Sequence, residues 1–319
     1  MISWLRSIQN GGQPIRSDGP ESHLKKSGTP TMGGLLILSS TLASVLLWVD
    51  LTNQYILIAL FVTYSYGLLG FLDDYRKISL RNSKGVSGTI KMAWQLITGA
   101  VAAFAISTAS SRFEPNSLLL PFIKNLSIHL GIFYYIFSSI VITGSSNAVN
   151  LTDGLDGLAS GIIILVTASL GLICYFTGHI SFAEYLHLPY LHNSGEIAVL
   201  CASIVGATLG FLWFNAPPAQ IFMGDVGSLA LGGAIGVISV IAKQELLLLI
   251  LGGVFVMEAL SVIIQVASFK LRGGKRVFKM APIHHHYEKS GWSETKVVIR
   301  FWILAVIFAI IALSSLKIR

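Results

Sequence analysis

Apolar runs of about 20 residues, the length that crosses a bilayer as a helix, recur from one end of this sequence to the other. No other feature restricts the fold as much. Backbone in hydrocarbon has to satisfy its own hydrogen bonds, and only helices and closed barrels do so. The runs are continuous and do not alternate, which predicts helices. Nine spans are expected, at about 33–52, 54–72, 92–109, 127–149, 158–176, 195–214, 226–242, 245–268 and 298–316. The fold class is therefore all-α, a polytopic transmembrane helical bundle read as a single integral membrane domain over residues 1–319. Composition agrees, with 12% charged residues against the roughly 25% of an average soluble chain.

Charge and cysteine usage narrow the class further. Cys174 and Cys201 are the two cysteines. Both lie inside apolar runs and read as small hydrophobes, not as a disulfide or a metal pair. The net charge of +7 is what basic cytoplasmic loops give a membrane protein, and no nucleic-acid partner is expected. Residues 1–32 are polar and basic without the apolar core of a signal peptide, so no cleavable signal is expected.

Lysine and arginine orient the bundle. With the N-terminus in the cytoplasm, segments 1–32, 73–91, 150–157, 215–225 and 269–297 face inward and hold 16 of the 22 basic residues. Asp73, Asp74, Asn147, Asn150, Asp153, Asp156, Asn215, Asp225 and His284, His285 and His286 then fall at or near that same face, from four separate loops. The topology rests on the basic residues alone, so this gathering is an independent sign of a working face.

The motifs at that face share one chemistry. GFLDDYRK (residues 70–77) ends the second span with adjacent carboxylates. Such a pair is costly at a membrane edge unless a divalent cation or a basic partner lies between them, and Mg²⁺ suits hard oxygen ligands. The bland alternative is a solvated acidic helix end. NAVNLTDGLDGLA (residues 147–159) repeats a polar residue every three positions. On a helix or tight turn this would align Asn147, Asn150, Asp153 and Asp156 in one stripe. An Asx-rich turn capping the next helix is the alternative. In NAPPAQIFMGDVGSLALGG (residues 215–233), Pro217 and Pro218 stop one helix and Asp225 precedes the next, where it could also serve as an N-cap. MAPIHHHYE (residues 280–288) carries three consecutive histidines. These would point in different directions, which speaks for phosphate binding or positioning over zinc chelation. HLKKSGTPTMGG (residues 23–34) fails the Walker pattern, yet Lys26 and Thr31 could contact an anionic ligand. The basic loop RGGKRVFK (residues 272–279) reads as topology and headgroup anchoring. Carboxylates for Mg²⁺, cations for phosphate and a membrane setting suggest phosphoryl transfer to a lipid.

These motifs, with PESHLKKSGTPTMGG (residues 20–34), are identified as those of the phospho-N-acetylmuramoyl-pentapeptide transferase family, within the polyprenyl-phosphate sugar-1-phosphate transferases of glycosyltransferase 4 type. The resemblance runs over residues 20–288, nearly the whole chain. It implies that UDP-N-acetylmuramoyl-pentapeptide and undecaprenyl phosphate give lipid I and UMP with Mg²⁺, at the cytoplasmic face of the bacterial inner membrane, among membrane lipids. It implies Asp225 as the metal ligand, Asp73 and Asp74 as an essential acidic pair, and His284, His285 and His286 as catalytic. It also implies Asn147, Asn150, Asp153 and Asp156 on the substrate side of the cleft, Asn215 and Phe222 near the nucleoside, and Lys26, Thr31 and Gln265 as further binding positions. A homodimer is expected from the resemblance alone. The family has ten spans. MISWLRSIQNGGQPIRSDGPESH resembles the segment after the first of them, so nine are expected here.

Two other functions compete. A sister transferase would pass N-acetylglucosamine-1-phosphate to a polyprenyl phosphate, and the histidine segment argues against it. A transporter would carry ionisable groups at mid-membrane and internal repeats. Here Glu258 is the one acidic residue deep in a span, and no repeat is evident.

Overall fold

The computed structural model describes residues 2–9, 28–80, 85–109, 116–123 and 126–318. The elements run α1 (Ile2–Gln9), α2 (Gly34–Trp48), α3 (Gln54–Ser79), α4 (Gly88–Ala109), the strands β1 (Ser117–Leu119) and β2 (Ser127–His129), α5 (Phe133–Thr152), α6 (Leu158–Thr177), α7 (Ile180–Tyr185), α8 (Gly195–Asn215), α9 (Gly224–Ile241), α10 (Glu245–Leu251), α11 (Gly253–Leu271), α12 (Ile283–Glu288) and α13 (Glu294–Ile318). Among the described residues, α3, α4, α6, α8, α9, α11 and α13 are the 7 helices long and apolar enough to cross a membrane. This is a multi-pass helical membrane protein. Of the other two expected spans, α2 is apolar but only 15 residues long. Serine, threonine and asparagine dilute the hydropathy of α5, which buries many of them against its neighbours.

Three expected spans need correction. The run expected over 127–149 begins as a strand, paired in antiparallel register Ser117↔His129, Leu118↔Ile128 and Leu119↔Ser127, and becomes helical only at Phe133. A short apolar stretch does not separate strand from helix by content. The run over 245–268 is broken between Leu251 and Gly253, where Gly253 lies against the Phe308 ring of α13. The run over 33–52 ends as a helix at Trp48. Asp50 then accepts hydrogen bonds from the backbone and hydroxyl of Thr52, and the Asn53 side chain caps α3 by accepting from the Tyr55 N–H.

Helix α9 is the centre of the bundle. Every residue from Val226 to Ile241 is buried, the condition of a helix that is apolar all round. It packs between α3 and α5. An added Cβ at Gly232 or Gly236 would lie 2.7 Å from the backbone of Ser146 or Ile142 on α5, so these small residues let the two backbones meet. Helices α6 and α8 pair beside this core, and α2 lies against α8 and α9.

The end of α9 away from Asp225 is closed by a buried polar cluster. The Tyr134 hydroxyl donates to Glu245 Oε1, and Lys243 Nζ donates to that hydroxyl at 2.9 Å while lying 4.0 Å from the Tyr134 ring centroid. Burial pushes the Lys243 ammonium down to about 8, against the pull of Glu245 in the other direction.

Candidate active site

Helix α3 continues beyond its apolar run and so carries Asp73, Asp74 and Lys77 on regular turns. Lys77 is four residues after Asp73, and its Nζ lies 2.6 Å from Asp73 Oδ2, 3.3 Å from Asp225 Oδ2 and 3.8 Å from Asp74 Oδ1. Lys91, in the first turn of α4, places Nζ 2.9 Å from Asp73 Oδ1 and 2.8 Å from Asp225 Oδ2. Asp73 Oδ1 also accepts from the Val86 N–H at 2.6 Å. Asp74 Oδ2 accepts from the Val226 N–H at 3.2 Å, which sets a carboxylate at the positive end of α9.

Asp225 sits in the first turn of α9, whose N-cap position is Met223 and not Asp225. Its Oδ1 accepts from Asn150 Nδ2 at 3.0 Å, and Asn150 also donates to Ser228 Oγ at 2.8 Å. Two glycines make this approach possible. A Cβ at Gly70 would overlap the carbonyl of Asp225. Gly224 has φ +74° and leaves no room for a Cβ between Asp74 Oδ2 and Thr31 Oγ1.

One oxygen each from Asp73, Asp74 and Asp225 lie within 4.8 Å of one another. Asp74 Oδ1 is buried without a hydrogen-bond partner among the described residues. Three formal carboxylates face two ammonium groups, so the donors are hard, convergent and formally one charge short of neutral. Such a set can hold a metal ion.

A cavity of about 270 Å³ opens beside this cluster, lined among others by Thr31, Asn150, Asp153, Asp156, Phe222 and Asp225. Asp153 follows the last residue of α5. Desolvation first, then Asp225 and Asp74, push its carboxyl well above the usual carboxylate range. Asp156 Oδ2 accepts from the Ala219 N–H at 3.0 Å.

The expected polar stripe forms in part: Asn150, Asp153 and Asp156 line one cavity, and Asn147 does not join them. Helix α5 stops at Thr152, and the turn through Gly154 and Gly157 re-aims the chain beyond it. Asn147 donates to Gln95 Oε1 at 2.9 Å and to the Thr143 carbonyl at 2.8 Å, facing α4. Only Asn150 reaches Asp225.

Two expected binding residues brace loops. Asn215 Oδ1 accepts from the Gly157 N–H and Ser160 Oγ, and its Nδ2 donates to the Ile221 carbonyl. Gln265 accepts from the Val277 and Phe278 N–H groups and donates to the Phe278 carbonyl. The histidines take three different partners. His284 Nδ1 lies 3.1 Å from Glu258 Oε2, His285 Nδ1 lies 2.7 Å from Glu288 Oε2, and His286 Nδ1 accepts from the Lys279 N–H. Lys26 lies outside the described residues.

Comparison with known proteins places the chain in a family. Residues 56–243 match the family model described as glycosyl transferase family 4. Residues 26–38 match phospho-N-acetylmuramoyl-pentapeptide-transferase signature 1. Proteins named phospho-N-acetylmuramoyl-pentapeptide-transferase from Rickettsia felis and Rickettsia akari are each 57% identical over 320 residues, covering 100% of this chain and 88% of theirs. The chain belongs to the phospho-N-acetylmuramoyl-pentapeptide-transferase family. Membership makes it a transferase of peptidoglycan synthesis. The transferase signature takes in Lys26 and Thr31, and the family 4 match takes in the three aspartates but ends before Gln265 and the histidines.

Lys77, Lys91 and Glu294 support this site and did not stand out in the sequence. Lys77 stands four residues after Asp73 inside a recognised motif, which is the signal for an i, i+4 ion pair. Lys91 has no local signal, because its partners come from α3 and α9. Glu294 Oε1, at the start of α13, accepts from the Asp156 N–H at 2.9 Å and secures the cavity turn from a distance of 138 residues.

Proposed function

We propose that this transferase passes phospho-N-acetylmuramoyl-pentapeptide from its UDP donor to undecaprenyl phosphate, giving lipid I and UMP, with Mg²⁺ as cofactor. The observation that carries the reading is the convergence of Asp73, Asp74, Asp225, Lys77 and Lys91 beside a polar cavity, in a chain of this family. Mg²⁺ held by the three aspartates would neutralise charge on the transferring phosphates. An oxygen of the lipid phosphate bonds to the sugar-bearing phosphorus. The bond from that phosphorus to the bridging oxygen breaks, and its electron pair leaves on UMP.

A phosphate monoester, with a second pKa near 6, is already largely dianionic at neutral pH and needs little help from a base. Asp73 is therefore read as a positioning and binding group in direct attack. Its engagement by Lys77, Lys91 and the Val86 N–H supports that role. Asn150 orients Asp225. Lys26, Thr31, Asp153, Asp156 and Phe222 receive the nucleotide and sugar, Asn215 and Gln265 hold the walls, and the histidine turn stands beside the phosphates. The basic loops support a cytoplasmic orientation of this face, and membership of a peptidoglycan-synthesis family supports the bacterial inner membrane.

The test uses purified protein in detergent with undecaprenyl phosphate, Mg²⁺ and UDP-N-acetylmuramoyl-pentapeptide, following UMP and the lipid product. Turnover is expected with this donor and not with UDP-N-acetylglucosamine. It should vanish on chelation and fall about 100-fold or more in Asp225→Asn, the scale of losing a principal electrostatic group. Turnover with the other sugar alone would reassign the donor. A phospho-aspartate trapped at Asp73 would overturn direct attack.

A further inference from the structure

Glu258 lies on α11 and is fully buried. An acidic group inside a membrane run is costly and calls for a named partner. That partner is His284 of α12, also fully buried, with Nδ1 3.1 Å from Glu258 Oε2. No other hydrogen bond reaches Glu258 Oε1 or His284 Nε2 among the described residues, so one bond carries the orientation of the ring.

The free ring nitrogen faces the site. An added Cβ at Gly154 would overlap His284 Nε2. Gly154 stands in the turn between Asp153 and Asp156, and all three line the cavity beside Asp225. On its other side the His284 ring meets the His285 ring edge to face at 4.1 Å, and His285 is itself tied to Glu288. A carboxylate at Nδ1 keeps the imidazole proton there and leaves Nε2 as the presented atom. Glu258, the imidazole and the Asp153–Asp156 turn thus form one line from the membrane interior to the cavity wall.

We propose that Glu258 is a positioning residue, which fixes the tautomer and place of His284 and through it sets the Asp153–Asp156 turn. The effect on turnover rests on the function proposed above; the effect on His284 does not. The test labels the full-length protein with ¹⁵N-histidine in detergent micelles and assigns the His284 signal by its loss in His284→Asn. The wild type should show the Nδ1–H form. Glu258→Gln keeps an acceptor oxygen and should keep that form, whereas Glu258→Leu should shift the signal toward Nε2–H. In turnover, Glu258→Leu should lose about tenfold or more in kcat and Glu258→Gln less than about threefold, the pattern of a lost orienting partner.

An unchanged His284 signal in Glu258→Leu would overturn the proposal, as would a glutamine variant as damaged as the leucine one. Should the leucine variant fail to fold, Glu258→Met, which fills a similar volume without a carboxylate acceptor, takes its place. It should move the His284 signal and slow turnover, and an unmoved signal again overturns the proposal. Absence of lipid product from the wild type would remove the functional reading, while the His284 signal would still decide the role of Glu258.

Discussion

Asp153 illustrates what the site asks of a single side chain. Burial and the neighbouring carboxylates of Asp225, Asp74 and Asp156 raise its pKa in the fold above its unfolded value. The native state then binds more protons than the unfolded chain, so stability falls as pH rises from about 4 toward the folded pKa. An amide in place of this carboxyl could not ionise and would not carry that slope. In thermal unfolding with a chelator present, Asp153→Asn should therefore be less sensitive to pH than the wild type and at least as stable at pH 7, although it turns over poorly. Parallel melting profiles would refute this. Gly70→Ala tests the neighbouring contact. Its Cβ would meet the Asp225 carbonyl, which as backbone cannot swing away. Overpacking of this kind costs about 1–3 kcal/mol, to be read as a lower melting temperature together with reduced turnover. The aspartates were legible in the sequence because each stands in a short polar motif against an apolar background. Lys91 was not, since a lone lysine at the edge of a span looks the same whether it serves topology or a carboxylate on another helix.

Among the elements, the apolar runs were legible because twenty continuous hydrophobic residues have few alternatives. Their interruptions were not. The strand at 127–129 and the break at 251–253 depend on partners, β1 and the Phe308 ring, that lie elsewhere in the chain. Of the polar stripe, Asn150, Asp153 and Asp156 meet at one cavity, while Asn147, still on α5, is drawn to Gln95 of α4, a partner with no local signal. Helix ends also set the prediction at this scale. Tyr134 on α5 links Lys243 and Glu245 where α9 gives way to α10. Tyr134→Phe keeps the ring and removes the hydroxyl, leaving two buried polar groups short of a partner. A loss of about 1–3 kcal/mol is expected, measured by thermal unfolding in detergent, with KM for the nucleotide donor unchanged because the cluster sits at the far end of α9.

For the whole molecule the decisive property is sidedness. The three aspartates, both site lysines and the histidine turn belong to segments that the proposed topology, drawn from the basic loops as a whole, puts on the cytoplasmic side. Inverted membrane vesicles should therefore turn over nucleotide donor added from outside, and sealed right-side-out vesicles should not until they are opened with detergent. Equal rates in the two intact preparations would reverse or abolish the assigned orientation.

Lys77 and Lys91 bind carboxylates that arrive from α3 and α9, so the acidic cluster is tied together by the chain's own cations. A metal ion entering the cluster competes with groups that cannot diffuse away, and it finds the ligands already gathered. On the metal dependence proposed above, protein stripped by a chelator should be dormant and not damaged. Stored in that condition, it should wake on adding the ion as quickly as mixing, since no helix has to be rebuilt.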